Sequence, residues 1–277
     1  MNKNENPLGQ AIEYPSYYSP ELLFPIDRKT SRALLGVGSL AFSGVDIWTA
    51  YEISWLNTKG KPVVAVGEFS FPCHSEFMVE SKSFKLYLNS FNQTRFSSIN
   101  EVKLRFEEDL SELVKASVVV DLYSLNEISE NPFSLNKIDS LKGVCLDDID
   151  LDVSQYHPAP EFLVSDQSEV VVETLYSHLL KTNCPVTGQP DWATLVIEYS
   201  GRKINHDNLL AYIISFREHQ DFHEHCVERI FCDIQARCKP QALTVYARYT
   251  RRGGLDINPY RSTDNTYKVK TGRLIRQ

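Results

Sequence analysis

The same order of strands and helices occurs twice along the chain, and this repeat limits the possible folds more than any other feature. In each half, two segments with strand character precede two helical segments and a final strand. The sequence Tyr87-Leu-Asn-Ser-Phe91 on the first helix of one half recurs as Tyr212-Ile-Ile-Ser-Phe216 in the other. The repeat predicts an internal duplication of an α+β module, an antiparallel sheet with two helices on one face.

Hydrophobic periodicity places the elements of each half. In the first half a turn at Asn57–Gly60 joins two strands, and apolar residues at helical spacing around Tyr87 predict a helix capped by Ser81 or Ser83. The other predicted elements there are strands at 46–57, 61–71 and 116–122 and a helix at 99–114. The second half is predicted to contain strands near 160–182, 192–200 and 242–250 and helices near 206–218 and 222–237.

Composition shifts divide the chain into four parts. Residues 1–45 are rich in Pro, Tyr, Ser and Gly without a sustained period, which predicts an irregular N-terminal arm. The polar, acidic stretch 126–156 predicts a linker. The two modules then occupy 46–125 and 157–277. The run Asp147–Asp152 lies in the linker and lacks the spacing of an EF-hand, so a solvated surface is expected there and no metal is predicted.

Composition and charge exclude several classes of protein. The chain is 42% hydrophobic, but no apolar run reaches the 18 or so residues that span a bilayer, and its N-terminus lacks the apolar stretch of a signal peptide. A cytoplasmic protein that does not bind membranes is therefore expected. The net charge is −7 and lysines and arginines form no large cluster, so direct contact with nucleic acid is not expected. The six scattered cysteines never form Cys-x-x-Cys, which predicts free thiols.

The segment Cys184-Pro-Val-Thr-Gly-Gln-Pro-Asp191-Trp192 carries the strongest chemical signal. Pro185 favours extended backbone at Cys184, and Gly188 turns the chain back toward Asp191. This arrangement can place a thiol and a carboxyl group on opposite sides of a small pocket. A thiolate is a good nucleophile, and a protonated Asp can supply a proton to the group that the sulfur attacks. The alternative interpretation is a structural cysteine buried in a turn.

This segment resembles the active-site segment of the 7-cyano-7-deazaguanine reductases, NADPH-dependent nitrile reductases of queuosine biosynthesis, a tRNA modification. Three further blocks resemble the longer, two-module form of that family, in the expected order between about Asp46 and Gln277. These blocks are Glu80–Thr94, Ser215–Arg229 and Tyr246–Pro259. The resemblance implies two tandem modules of the tunnelling fold, association into a homodimer, NADPH as cofactor and a deazaguanine nitrile as substrate.

The resemblance also implies roles for individual residues. Cys184 is the expected nucleophile, adding to the nitrile carbon to give a thioimide that accepts hydride, and Asp191 is the expected proton donor, whose burial beside Trp192 would favour its protonated form. Substrate binding is expected from Glu80, Ser81, Lys82, His223 and Glu224. NADPH binding is expected from Lys82, Ser83, Arg252 and Gly253.

Elementary chemistry agrees with several of these roles. A carboxylate such as Glu224 accepts paired N–H groups of a guanine-like base, and a helix start bearing Lys82 suits an anionic group. The alternatives are a solvated helix face around His223 and Glu224 and a simple helix cap at Glu80. Because Glu80–Ser83 and Cys184 lie in different halves, the active site is expected to form between modules, within one chain or across two.

Two other functions remain to be compared with this one. A zinc hydrolase of the cyclohydrolase type could use His219, His223 and Cys226, which lie on one face of a predicted helix. However, His-Glu-x-x-His is absent because Gln220 follows His219. A non-catalytic oligomeric scaffold is the third class, and it assigns no role to a thiol in an exposed loop.

Overall fold

The computed structural model describes residues 15, 17–35, 42–130, 138–269 and 272–277. Their contacts divide the chain into two compact units, each assembled from three separate stretches. Unit 1 takes its residues from 1–31, 46–137 and 251–256, and unit 2 from 32–45, 138–250 and 257–277. The short stretch 251–256 therefore belongs with the first unit, although it follows the last strand predicted for the second half.

Unit 1 contains a sheet in the order β5-β3-β2, a small antiparallel pair β1-β4 and the helices α2 and α3. Its elements are β1 (Pro25–Asp27), α1 (Arg28–Arg32, shared with unit 2), β2 (Ser43–Leu56, whose first three residues belong to unit 2), β3 (Pro62–Pro72), β4 (Phe77–Val79), α2 (Ser81–Ser90), α3 (Ile99–Val114), β5 (Val119–Tyr123) and α4 (Leu125–Glu130). The β2 and β3 strands, the turn at 57–60 and the helix predicted at 99–114 are confirmed.

The start of α2 differs from the prediction. Glu80, not Ser81 or Ser83, is its N-cap, because Glu80 has extended backbone and its carboxylate accepts bonds from the amides of Lys82 (2.9 Å) and Ser83 (2.7 Å). The predicted serine caps are therefore wrong. Residues Phe84, Tyr87 and Phe91 are fully buried, as expected for an apolar stripe at helical spacing.

Unit 2 contains antiparallel strands in the order β10-β9-β8-β7, with the short β6 parallel to β7 at the edge. Its elements are β6 (Val144–Cys145), β7 (Ser165–Asn183), β8 (Pro190–Ile204), α5 (His206–Ile214), α6 (His223–Cys238), β9 (Ala242–Tyr249) and β10 (Leu255–Ser262, whose first two residues belong to unit 1). Unit 2 also contains 3₁₀ turns at Ala33–Leu35, Pro160–Phe162 and Ser215–Glu218, and unit 1 contains one at Pro20–Leu22. The predicted pattern of strands and helices is confirmed, apart from β10 and the short β6, which were not predicted.

The protein has a mixed α+β fold with antiparallel strands, which confirms the predicted class. The arm predicted as irregular over 1–45 contains β1, α1 and the start of β2, and the linker predicted over 126–156 contains most of α4 and β6. Residues 1–14, 16, 36–41 and 131–137 of these two segments lie outside the described residues. In the part of the chain that the structure describes, the helices are too short or too polar to cross a membrane.

Candidate active site

The loop that carries Cys184 closes the long β7–β8 hairpin of unit 2. The Cys184 amide donates to the Gln189 carbonyl (2.9 Å), and the Gly188 amide donates to the Cys184 carbonyl (3.0 Å). Gly188 has φ +68°, a conformation that glycine adopts without strain. Residues 185–190 are exposed, and Cys184 itself is half-buried and forms no disulfide. The loop thus places the thiol of Cys184 in a segment that solvent can reach.

Asp191 lies directly after this loop and faces Thr182 across the hairpin. Cys184 follows Thr182 by two residues, just after β7 ends at Asn183. Asp191 is 4% exposed, and its Oδ1 lies 3.4 Å from Nε2 of His223. A buried carboxyl group and an imidazole therefore lie together at the end of the hairpin, next to the loop that carries the thiol.

Helix α6 supplies His223 and Glu224 from its first turn. Backbone bonds hold the preceding segment to the end of β7, since the Asn183 amide donates to the His219 carbonyl (2.8 Å) and the Asp221 amide to the Asn183 carbonyl (3.2 Å). Glu224 is 3% exposed and is placed where the helix dipole stabilises a carboxylate. Glu224 is therefore too buried for the alternative interpretation of a solvated helix face.

Behind this site lie Thr182 and Tyr249, which were not predicted from the sequence, and Cys226, which was considered only as a zinc ligand of the alternative function. The Tyr249 ring lies 3.9 Å from the His223 ring, and Thr182, Tyr249 and the fully buried Cys226 interact with one another. Burial raises the pKa of Cys226 and of Tyr249 well above their usual ranges, with Asp191 contributing in both cases. Cys226 is consequently a poor nucleophile, unlike a thiol in an accessible loop.

Unit 1 contains a cavity of about 700 Å³ that holds two of the predicted cofactor residues, Lys82 and Gly253. Lys85, one helical turn beyond Lys82, lines it as well and was not predicted, although its i+3 spacing places it on the same face of α2. Gly253 has φ +57°, and a Cβ at Gly254 would lie 2.4 Å from the Glu52 side chain. Small residues are therefore required where this backbone borders the cavity. Two lysines and the amide side chains of Asn89, Asn92 and Gln93 suit a phosphorylated ligand.

The remaining predicted residues of unit 1 are placed differently. Glu80 is 1% exposed and caps α2, while Ser83 is fully buried with its hydroxyl donating to the Glu80 carbonyl (2.7 Å) and accepting from the Phe24 amide (3.0 Å). Ser81 is half-buried at the helix start, next to Lys82. Arg252 precedes the two cavity glycines, and its amide donates to the Leu255 carbonyl (2.9 Å). Ser81, Ser83 and Arg252 are not among the residues that line the cavity.

Comparison with known proteins identifies related chains over both units. Residues 14–122 match the family model described as nitrile reductase, 7-cyano-7-deazaguanine-reductase N-term, and residues 190–268 match the model described as QueF-like protein. An NADPH-dependent 7-cyano-7-deazaguanine reductase of Dechloromonas aromatica (strain RCB) is 53% identical over 274 residues, covering 98% of this chain and 95% of the relative. The chain belongs to the NADPH-dependent 7-cyano-7-deazaguanine reductase family. The family inferred from four blocks of sequence is thereby confirmed.

Two further members of this family are similar over nearly the whole chain. The reductase of Azoarcus sp. (strain BH72) is 52% identical, covering 98% of this chain and 95% of the relative. That of Bordetella pertussis (strain Tohama I / ATCC BAA-589 / NCTC 13251) is 52% identical and covers 100% of both chains. A solved archaeosine synthase QueF-Like in the apo form is 14% identical over 37% of this chain, with a TM-score of 0.31, which is too low to define the fold.

The zinc hydrolase alternative gains no support from these relatives. Within the described ranges, the ligand atoms of His219, His223 and Cys226 do not form a group of three. His219 instead lies 3.8 Å from Asp221, and Cys226 is buried among Thr182 and Tyr249. These side chains therefore make packing and polar contacts with their neighbours instead of forming a set of zinc ligands.

Proposed function

We propose that this chain reduces the nitrile of 7-cyano-7-deazaguanine to the primary amine 7-aminomethyl-7-deazaguanine, with NADPH as the source of hydride, for the biosynthesis of queuosine in tRNA. The observation that carries the proposal is the group formed by Cys184, Asp191 and His223 on one hairpin and the adjoining helix start. Full-length identity of 52–53% to reductases of this name supports it.

Cys184 acts as the nucleophile. Its thiolate forms a bond to the nitrile carbon while one carbon–nitrogen π bond breaks, and the nitrogen takes a proton to give a thioimide. Asp191 donates that proton, and Nε2 of His223 lies 3.4 Å from its Oδ1. When bound, NADPH supplies two hydrides in succession to the same carbon. The thiolate leaves between these two steps, and a second proton completes the amine.

Glu224 and His223 hold the deazaguanine ring. A buried carboxylate accepts two adjacent N–H groups of a guanine-like edge, and Glu224 lies buried in the first turn of α6. Glu80, Ser81 and Lys82 are assigned to the same substrate by the family resemblance. In unit 1, Glu80 already satisfies the first amides of α2, so its role would require these cap bonds to be exchanged or shared.

NADPH binding is assigned to Lys82, Ser83, Arg252 and Gly253, with Lys85 as an addition. The cavity lined by Lys82, Lys85 and Gly253 supports this assignment, since two ammonium groups suit phosphates. Because the Glu80 carboxylate occupies the α2 amides, the phosphates would be held by lysine side chains rather than by the helix start. Ser83 is buried, so it would act indirectly, by holding the start of α2 through its bond to the Glu80 carbonyl.

We also propose that the two units are tandem modules of the tunnelling fold and that the protein is a cytoplasmic homodimer. Matching contacts in the two helix pairs support the duplication: Tyr87 binds Asp109 as Tyr212 binds Asp233. The predicted modules at 46–125 and 157–277 remain a proposal. Light scattering on the purified chain tests the dimer.

The activity is tested by following NADPH oxidation when 7-cyano-7-deazaguanine is added. About two NADPH should be consumed for each amine formed, since reduction of a nitrile to an amine requires two hydrides. Cys184→Ala should not turn over, whereas Cys145→Ala, which removes another half-buried free thiol of unit 2, should retain activity. Consumption of one NADPH for each product, or turnover by Cys184→Ala, would contradict the proposal.

A further inference from the structure

A second cluster of chemically active side chains lies in unit 2, outside the residues assigned to the reaction. Cys145 on β6, Asp147 just after it and His178 on β7 each bring one ligand atom within 4.8 Å of the other two. All three are half-buried. The cluster offers sulfur, oxygen and nitrogen, which is a donor set that zinc accepts. We propose that Cys145, Asp147 and His178 form a zinc site.

The backbone that carries Cys145 is paired closely with strand β7. Cys145 pairs with Tyr176 in the parallel β6–β7 ladder, and the Leu146 amide donates to the Tyr176 carbonyl (2.9 Å). Gly143 has φ +135°, and a Cβ there would lie 2.3 Å from the Thr174 carbonyl oxygen. Only glycine allows this approach of β6 to β7. The spacing of Cys145 and Asp147 relative to His178 is thus determined by paired strands rather than by a loose loop.

Neighbouring groups orient the ligands as they do in known metal sites. Nδ1 of His178 lies 2.8 Å from the hydroxyl of Thr194, which is buried, so Nε2 is the ring nitrogen that remains for a metal. Oδ1 of Asp147 accepts from the Ser177 hydroxyl (2.6 Å), and both oxygens accept from the His178 amide. A carboxylate has about four acceptor positions, so Asp147 retains capacity for a metal.

Tyr176 supplies a further contact to the sulfur. The Tyr176 hydroxyl forms a side-chain hydrogen bond with Cys145. Binding of zinc displaces the Cys145 proton to solvent and forms a zinc–sulfur bond, with no change of oxidation state. In a tetrahedral site with bonds of about 2.0–2.3 Å, ligand atoms lie roughly 3.3–3.8 Å apart. The three side chains therefore need to move inward by about 1 Å, and water can complete the coordination.

The proposed zinc site connects the segment that contains β6 to the β7–β8 hairpin. His178 lies on β7, and Thr194, its partner, lies on β8 three residues after Asp191. Arg276 also donates to the His178 carbonyl (2.8 Å) while its guanidinium lies 5.9 Å from the Trp192 ring. Zinc would therefore stabilise the strand that carries the proposed proton donor, without contacting the reacting atoms.

The test uses the full-length chain with Cys184→Ala, so that the loop thiol cannot bind the metal. After treatment with a chelator, this protein should bind about one equivalent of zinc, measured by calorimetry and elemental analysis, and its Tm should rise. Cobalt in place of zinc should give thiolate-to-metal charge-transfer absorption. Adding Cys145→Ser should lower zinc affinity about 100-fold or more and remove this absorption, and His178→Ala should weaken binding comparably.

Thr194→Val and His219→Gln complete the set of variants. Thr194→Val keeps the side-chain shape but removes the partner of His178, and loss of such a partner costs about 10–100-fold in affinity. His219→Gln should leave affinity unchanged. Equal Tm values of the metal-free proteins would show that the variants fold. The proposal is overturned if Cys184→Ala binds no zinc, if Cys145→Ser binds it unchanged, or if His219→Gln loses it.

Discussion

The two units have the same contacts within their helix pairs but different chemistry around them. In unit 1 the Tyr87 hydroxyl donates to Asp109 (2.5 Å), and in unit 2 the Tyr212 hydroxyl donates to Asp233 (2.7 Å). The serine three residues later donates to the tyrosine carbonyl at 2.6 Å in both. In both, the phenylalanine that follows this serine packs edge-on against the tyrosine.

The difference lies at the ends of the strands and the starts of the helices. The β2–β3 turn of unit 1 is a tight, polar connection at 57–60, whereas the β7–β8 loop of unit 2 presents Cys184 and leads into Asp191. Conversely, α2 of unit 1 directs Lys82 and Lys85 into a cavity. Similar helix pairs thus accompany the residues around Asp191 in unit 2 and a cavity with two lysines in unit 1. The contacts that the units share lie between helices, whereas the features that differ lie in loops and at helix starts.

Among variants that keep Cys184, the largest expected effect is at Asp191. Asp191→Asn keeps the shape but removes the donatable proton, so kcat should fall by about 10²–10⁴. Single-turnover kinetics with NADPH would measure it. The control is Asp207→Asn at the exposed start of α5, which should behave as the parent protein. Full activity of Asp191→Asn would mean that another group, with His223 the nearest candidate, supplies the proton.

Glu224→Gln should mainly weaken substrate binding. Loss of a charged hydrogen bond to the ring costs about 1.5–3 kcal/mol, roughly 10- to 150-fold in affinity. Calorimetry with the nitrile in a Cys184→Ala background isolates binding from chemistry. Glu218→Gln, an exposed carboxylate of the same unit, is the control. Unchanged affinity of Glu224→Gln would remove Glu224 from the substrate site.

Arg252→Ala tests whether unit 1 recognises the cofactor. The apparent KM for NADPH should rise by about tenfold, since one charge-assisted contact is lost, while nitrile binding stays nearly unchanged. Steady-state kinetics with NADPH and NADH measures it. Arg251→Ala is a matched neighbour, because the Arg251 guanidinium stacks on Tyr51 at 4.1 Å. If Arg252→Ala keeps its full preference for NADPH, the 2′-phosphate is recognised elsewhere.

Stability of the helix pairs gives the smallest expected difference. Asp109 accepts hydrogen bonds from two tyrosine hydroxyls, Tyr87 and Tyr18 (2.7 Å). Asp233 accepts a hydrogen bond from the hydroxyl of Tyr212. Tyr87→Phe should therefore destabilise the protein less than Tyr212→Phe, by about 1 kcal/mol in the free energy of unfolding. Urea titration of both variants measures this difference. Equal losses would show that Tyr18 does not compensate.

Burial, followed by the carboxylate partner, raises the pKa of Tyr87, and the same causes raise that of Tyr212. A group whose pKa is higher in the folded state stabilises the fold fully below its unfolded value, about 10 for tyrosine. The contribution of each hydroxyl to stability should therefore be complete at neutral pH and decrease as pH rises above about 10, where tyrosine ionises in the unfolded chain but stays protonated in the fold. The destabilisation caused by each Phe variant should decrease over that range.

Sequence patterns predicted most elements because apolar periodicity and turn residues mark them. They failed at β10, since Leu255–Ser262 is buried along its whole length, contains Pro259 and shows no alternation. They also failed at Glu80, whose capping depends on its carboxylate reaching two amides. Tyr249, Thr182 and Cys226 become neighbours of Asp191 and His223 only through the strand order β9-β8-β7, which local patterns do not determine.

The most direct test of the division of labour between the units is mass spectrometry of the protein with 7-cyano-7-deazaguanine and without NADPH. A covalent adduct of one substrate should form in the parent protein and map to Cys184, and NADPH should discharge it. Arg252→Ala, a change in unit 1, should form the same adduct, whereas Cys184→Ala should form none and keep its Tm. An adduct that persists in Cys184→Ala, or that maps to Cys145 or Cys226, would contradict the assignment of covalent chemistry to the β7–β8 loop.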